Sequence, residues 1–226
     1  MAIAHVADSS ADLNAPGGTT TIALPAGSTG ARVVVVAFGS TRNSTTNPNV
    51  VSAPAGWNAI GSGFSANDGT NEVSLYGFWA LGSVAALGFT NSQTSGLKQG
   101  WAAALFSGVD LSTPIDVVGT GATGSAGLNA ASITIVTANA WDVVLTADLN
   151  HHEVTGTGLT AADNGATPAN ASAGVLYNTT PKSTGATGTQ NVGISVSDPG
   201  DIVAALRFAL RPAGPPRPHM MQACFL

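Results

Sequence analysis

Short apolar runs, broken every few residues by Gly, Asn, Asp, Ser or Pro, recur along the whole chain. Runs of this length with turn chemistry between them predict strands, and many at short spacing predict a sandwich or barrel. The pattern places strands over residues 19–24, 32–39, 58–62, 72–81, 86–90, 100–107, 132–137, 142–148, 174–178, 191–197 and 202–210. Within 72–81, Val73, Leu75 and Phe78 give a partial alternation. Gly77 interrupts it, which predicts a bulge or a close approach. Val33 to Val36 is continuous and β-branched, as expected of a strand covered on both faces. Helical signals are weak. Residues 97–100 and 161–164 are candidates for single turns, and Trp101, Leu105 and Phe106 turn the alanines at 102–104 toward a strand. The fold expected is all-β: an antiparallel two-sheet β-sandwich, jelly-roll-like, over residues 1–210.

Three stretches rich in Gly, Thr, Ser and Ala, at 119–129, 155–170 and 180–190, read as loops. Loops on a rigid sandwich are places for binding contacts. The last sixteen residues, 211–226, differ from everything before them. Pro212, Pro215, Pro216 and Pro218 end the final strand and favour an extended, polyproline-like path. Beyond Arg217 the tail turns apolar, with Met220, Met221, Phe225 and Leu226. A stiff stem tipped with apolar groups either clasps a neighbouring subunit or folds back on its own domain. These nine residues are therefore the candidate subunit contacts.

Composition narrows the function classes. Hydrophobic residues make up 44% of the 226 residues, but charged residues only 8%, against about 25% in an ordinary globular chain. Disordered chains are charge-rich and poor in apolar residues, so a folded core is expected. A surface with so little charge is weakly defended against association, which suits a protein fixed in an assembly. Net charge is −5 with seven Lys and Arg, so no basic footprint for nucleic acid is present. One cysteine, Cys224, excludes an intrachain disulfide and fits folding in a reducing cytosol. The amino terminus lacks a basic n-region and an apolar h-region, so no secretory signal is expected. No apolar run approaches a membrane span. The glycosylation triplets at Asn43, Asn170 and Asn178 then read as ordinary polar loops.

Candidate chemistry is sparse. His151, His152 and Glu153 are the only clustered metal-ligand types. Neighbours on a strand point to opposite faces, and zinc needs three or four ligands, so no metal site is expected. No Gly-x-Ser-x-Gly elbow sits between a strand and a helix. The two glutamates, Glu72 and Glu153, leave little for a paired-carboxylate site. Asp110 and Asp116 read as turn formers that cap backbone donors, and Asp198 to Asp201 as a turn. No phosphate loop or dinucleotide fingerprint appears. Trp57, Trp79, Trp101 and Trp141 lie in or beside predicted strands and read as packing residues before glycan platforms.

Two motifs carry a resemblance. One is Pro54-Ala55-Gly56-Trp57. The other is Trp101-Ala102-Ala103-Ala104-Leu105-Phe106-Ser107-Gly108-Val109-Asp110 with Thr113-Pro114-Ile115-Asp116 after it. With the strand opening at Ala140-Trp141-Asp142, their order and spacing resemble a jelly-roll-like domain of bacteriophage virion structural proteins and bacterial surface proteins, over roughly residues 19–210. The resemblance implies a scaffold with no active site and no cofactor. It implies a capsid decoration or minor capsid protein of a virion, with a minor tail protein or a glycan-binding adhesin as alternatives. The partners implied are other virion proteins and further copies of the chain, with a host-surface glycan as a further candidate and neither nucleic acid nor membrane.

Overall fold

The computed structural model describes residues 2–14, 18–42, 44, 46–84, 88–125, 127–149, 154–163, 172–194 and 201–214. All regular structure in them is β. The first half supplies β1 (Ala4–Asn14), β2 (Thr19–Thr21), β3 (Arg32–Arg42), β4 (Val51–Ser52), β5 (Asn58–Ala59), β6 (Phe64–Asn67), β7 (Glu72–Leu81), β8 (Gly88–Asn91) and β9 (Leu97–Ser107). The second half supplies β10 (Ile115–Val118), β11 (Ala122–Gly124), β12 (Gly127–Ala130), β13 (Thr134–Ile135), β14 (Trp141–Asp148), β15 (Val154–Gly156), β16 (Thr160–Asp163), β17 (Ser172–Tyr177), β18 (Gly185–Ala186), β19 (Gln190–Ile194) and β20 (Val203–Leu210).

Two six-stranded antiparallel sheets form the centre. One has the order β1-β9-β3-β7-β5, with β6 also on β7. The other has the order β10-β20-β14-β17-β16, with β11 also on β20. Their facing sides make the main core, where Val33, Val35 and Phe106 meet Val143, Leu145 and Phe208. Each sheet is also covered behind. The small sheet β2-β8-β4 closes a second core over Val34, Val36, Phe38 and Leu105. The sheet β12-β19-β15 closes a third over Val144, Leu176 and Ala205, and the pair β13-β18 belongs to a fourth cluster, in which Ile135 packs with Ala140 and Ala209. The all-β sandwich is thus four layers deep. The Val33–Val36 run is buried on both faces because each face meets a different layer.

The two halves follow the same path. Pairing is nested: β1 with β9, β2 with β8, β3 with β7, and again β10 with β20, β12 with β19, β14 with β17. A hairpin rolled up in this way is the wrap of a jelly roll, and here it occurs twice. The register repeats too. Val33 lies opposite Phe106 and Val35 opposite Ala104, as Val143 lies opposite Phe208 and Leu145 opposite Leu206. The chain passes from one principal sheet to the other once, between Ser107 and Ile115.

Two groups of buried polar side chains are paired behind the principal sheets. Behind the first principal sheet, Gln99 donates to Asn91 (2.9 Å) and Ser40 (3.2 Å) and meets Thr20. Asn91 in turn donates to Thr20 (3.0 Å) and accepts from Asn49 (3.2 Å). These five side chains are neutral and nearly solvent-free. Behind the second sheet, Arg207 stands where Leu105 stands in the first half, opposite Val144 as Leu105 is opposite Val34. Its guanidinium holds Asp142 through two bonds of 2.8 and 2.6 Å, and also donates to the carbonyls of Ala131 and Gly188.

Several expectations need correcting. Residues 4–14 carry a long strand that the pattern did not reveal, because an edge strand with alternate residues exposed reads as polar. The stretch 119–129 holds β11 and most of β12, 155–170 holds most of β15 and all of β16, and 180–190 holds β18. Each of these strands is two to four residues long, and burying two side chains at most leaves no alternation to read. The single turns considered at 97–100 and 161–164 are strand in β9 and β16 up to Asp163. The strand over 19–24 stops at Thr21, that over 132–137 shrinks to Thr134–Ile135, and that over 58–62 to Asn58–Ala59. Gly77 marks a close approach: a Cβ there would lie 2.3 Å from Leu145 of the facing sheet.

Candidate functional site

The motif around Ser107 turns out to be a clamp. Gly108 ends β9 with φ of 72°, in the left-handed region that glycine tolerates. A Cβ at Gly108 would lie 2.0 Å from the carbonyl oxygen of Ala2, so the missing side chain is the passage for the amino-terminal segment. On the same turn, Val109 forms an isolated antiparallel bridge with Pro212. The Ala213 N–H donates to the Gly108 carbonyl (2.8 Å), and the Asp110 N–H donates to the Arg211 carbonyl (2.9 Å). The Arg211 N–H donates to the Pro114 carbonyl (2.8 Å). The root of the tail is therefore fastened to residues 108–114, and the first described residues pass against Gly108.

Two aspartates stiffen this corner. Asp110 accepts from the backbone and hydroxyl of Ser112 (2.9 and 2.7 Å) and from Thr113. These bonds, that of the Ser112 hydroxyl foremost, hold its carboxyl below the ordinary value. Asp116 does more. It accepts from the N–H groups of Val136 (2.8 Å) and Thr137 (3.0 Å), twenty residues away in sequence, and pairs with Arg211 at 3.3 Å. Burial pushes the Asp116 carboxyl up. The Thr137 hydroxyl, the two N–H groups and the Arg211 charge together outweigh it and hold the group below its ordinary value. One carboxylate thus ties the segment 136–137 to the tail root. The capping role expected of both aspartates is what the structure shows.

Between these tethers lies a cavity of about 460 Å³. Ile3, Trp141, Pro181, Pro212 and Gly214 line it, with Thr137 to Asn139 on one wall. Trp141 is buried to 8% exposure, stacked on Tyr177 at 5.6 Å and 6°, and His5 stacks on the other side of Tyr177 at 5.1 Å. Burial, and secondarily the charge of Asp8, push the Tyr177 hydroxyl up. The Pro181 wall is held by the bridge between Ala140 and Lys182. A smaller hollow of about 220 Å³ lies against Val109 and Leu111. Ala213 and Gly214 border both hollows.

Of the nine sequence-derived contact residues, Pro212 is placed at this corner. Pro215, Pro216, Arg217, Pro218, Met220, Met221, Phe225 and Leu226 lie outside the described residues, as do His151, His152 and Glu153. Sequence reasoning missed the cavity itself, Asp116 as its tether, and Ile3 as a wall. The Ser107-Gly108-Val109-Asp110 motif pointed at the right turn without revealing what it holds.

The other tryptophans belong to packing. Trp57 and Trp101 are buried at 7% and 3% exposure in the second core, and Trp79 packs half-buried against the first. The Pro54 carbonyl accepts from the Trp57 N–H, and Gly56 takes φ of 88° at the third position of that turn. Among the described residues, no three of His, Cys, Asp and Glu gather as metal ligands would. No family model, curated protein or solved structure matches the chain.

Proposed function

We propose that the protein is a non-catalytic structural component of a bacteriophage virion. It docks on the particle as a capsid decoration or minor capsid protein, among other virion proteins and further copies of itself. A minor tail location is the alternative address for the same docking chemistry. The observation that carries this reading is the convergence of residues 2–3 and 211–214 on one corner, beside an apolar cavity. A corner that gathers two distant segments around an apolar hollow offers one docking pole. The scarcity of charge supports it: a chain with 8% charged residues has a charge-poor surface, which associates readily unless assembly occupies it. The motif resemblance supports it through the same residues, since Gly108, Val109, Asp110, Pro114 and Asp116 build the clamp.

Density-gradient purification of particles from a host producing them, followed by mass spectrometry, tests the proposal. Recovery of the chain in stoichiometric amounts with particles is the expected result. Its absence from intact particles refutes the reading. A chain lacking residues 215–226 should occupy particles at a reduced level, and unchanged occupancy removes the tail from the docking account.

A further inference from the structure

We propose that the cavity beside Trp141 is a socket for residues 215–226 of a second copy of this chain, so that copies join head to tail. This goes beyond the docking reading: it names the occupant of the corner, and it holds or fails whether or not the chain is found on particles.

Gly214 marks where the tail begins. That residue is the last one described before the tail, and it lines the cavity. The tail therefore departs from the rim of its own socket. Pro215, Pro216 and Pro218 follow at once, and such a run favours a polyproline helix rising about 3 Å per residue. In that form the five residues 215–219 would span about 15 Å before the methionine pair. Short semi-rigid spacers hold their two ends apart, and ring closure across one is disfavoured. A stem of that form would carry Met220, Met221, Phe225 and Leu226 away from the cavity where the tail begins and toward the same cavity on a neighbour.

The cavity suits such a guest. Its walls are the apolar surfaces of Ile3, Trp141, Pro181 and Pro212, and about 460 Å³ accommodates two large side chains. Methionine fills irregular apolar spaces and makes favourable contact with an indole. The walls are also rigid, because the Asp116 and Lys182 tethers fix residues 136–140 and 181–182. A preformed socket lowers the ordering cost of association to that of the tail alone. The contact is heterologous, since tail and socket are different surfaces. Such contacts generate rings when the rotation closes and filaments when it does not.

The chain has one cysteine, Cys224, and it lies in the tail. That makes a direct test available. Ala138→Cys places a thiol on the exposed rim of the cavity without touching the core. The full-length variant is oxidised under mild conditions at several protein concentrations and run on a non-reducing gel. Disulfide-linked dimers and higher species that vanish with Cys224→Ser are expected. A cross-link confined to monomers means that the tail folds into its own cavity and overturns the proposal. No cross-link at any concentration overturns it as well. In parallel, sedimentation of the unmodified chain should show concentration-dependent self-association, and Ala138→Trp, which narrows the mouth, should abolish it with the melting temperature retained. Self-association unchanged by Ala138→Trp or by removal of residues 215–226 also refutes it.

Discussion

The buried pair Arg207–Asp142 offers the sharpest test of how the second half of the fold is held. Both side chains are essentially solvent-free, at 1% and 0% exposure. The equivalent place in the first half is filled by Leu105, packed among Val34 and Phe38. Arg207→Met removes the guanidinium and leaves the Asp142 carboxylate buried without its two short bonds. The carbonyls of Ala131 and Gly188 lose their donor too. Breaking one side of a buried pair costs about 3–5 kcal/mol. For a domain of this size each kcal/mol moves the melting temperature by about 2–4 °C, so a fall of roughly 6–20 °C is expected. The double variant Arg207→Met with Asp142→Leu removes the stranded charge and copies the apolar solution of the first half. It should recover most of the loss, because apolar replacement of a buried pair is often neutral or better. The assay is thermal unfolding with urea titration alongside, comparing midpoints at unchanged m-value. A single variant within about 2 °C of the wild type would refute the reasoning, as would a double variant no better than the single.

Three further outcomes follow from the cores and the clamp. Gln99→Met keeps the volume but removes one hydrogen bond from each of Asn91, Ser40 and Thr20, and should cost about 1–3 kcal/mol in the urea midpoint; a neutral result would show that water enters that layer. Gly108→Ala forces a side chain into the left-handed region at about 1–2 kcal/mol and against Ala2. Limited proteolysis should then cut earlier within residues 2–14, and an unchanged digest would refute the passage role. Asp116 has a folded pKa below its unfolded value of about 3.9. Its contribution is therefore complete above that value and is lost as pH falls through the folded pKa. Asp116→Asn should lower stability near neutrality and flatten the acid limb below about pH 4, read from urea midpoints across pH.

The sequence was legible where strands are long and central. The Val33–Val36 run, the alternation in 72–81 and the apolar end at 202–210 all announce strands that the main core confirms. It was illegible where a strand buries one or two side chains, as β12 does with Leu128 and Ala130 or β15 with Val154. The internal repeat was hidden for a related reason. What repeats is pairing and inward apolar character, and equivalent outer positions hold residues as unlike as Leu105 and Arg207. At the site, Gly108 and Asp110 were visible as turn formers. The cavity was not, because it is assembled from four separate segments at residues 2–3, 137–141, 181 and 212–214.

The nested pairing also sets a timetable for synthesis. The first strand of each half waits for the last: Ala4 pairs with Ser107, and Ile115 with Leu210. On a ribosome adding about 5–20 residues per second, the first half can close only after some 100 residues have emerged. Its inner face, with Val33, Val35 and Phe106, then stays uncovered until the second half is made. Such long-range closure is slow, and the interval leaves an apolar sheet open to other chains. Production of this protein should therefore respond to translation speed and chaperone supply more strongly than its finished stability would indicate.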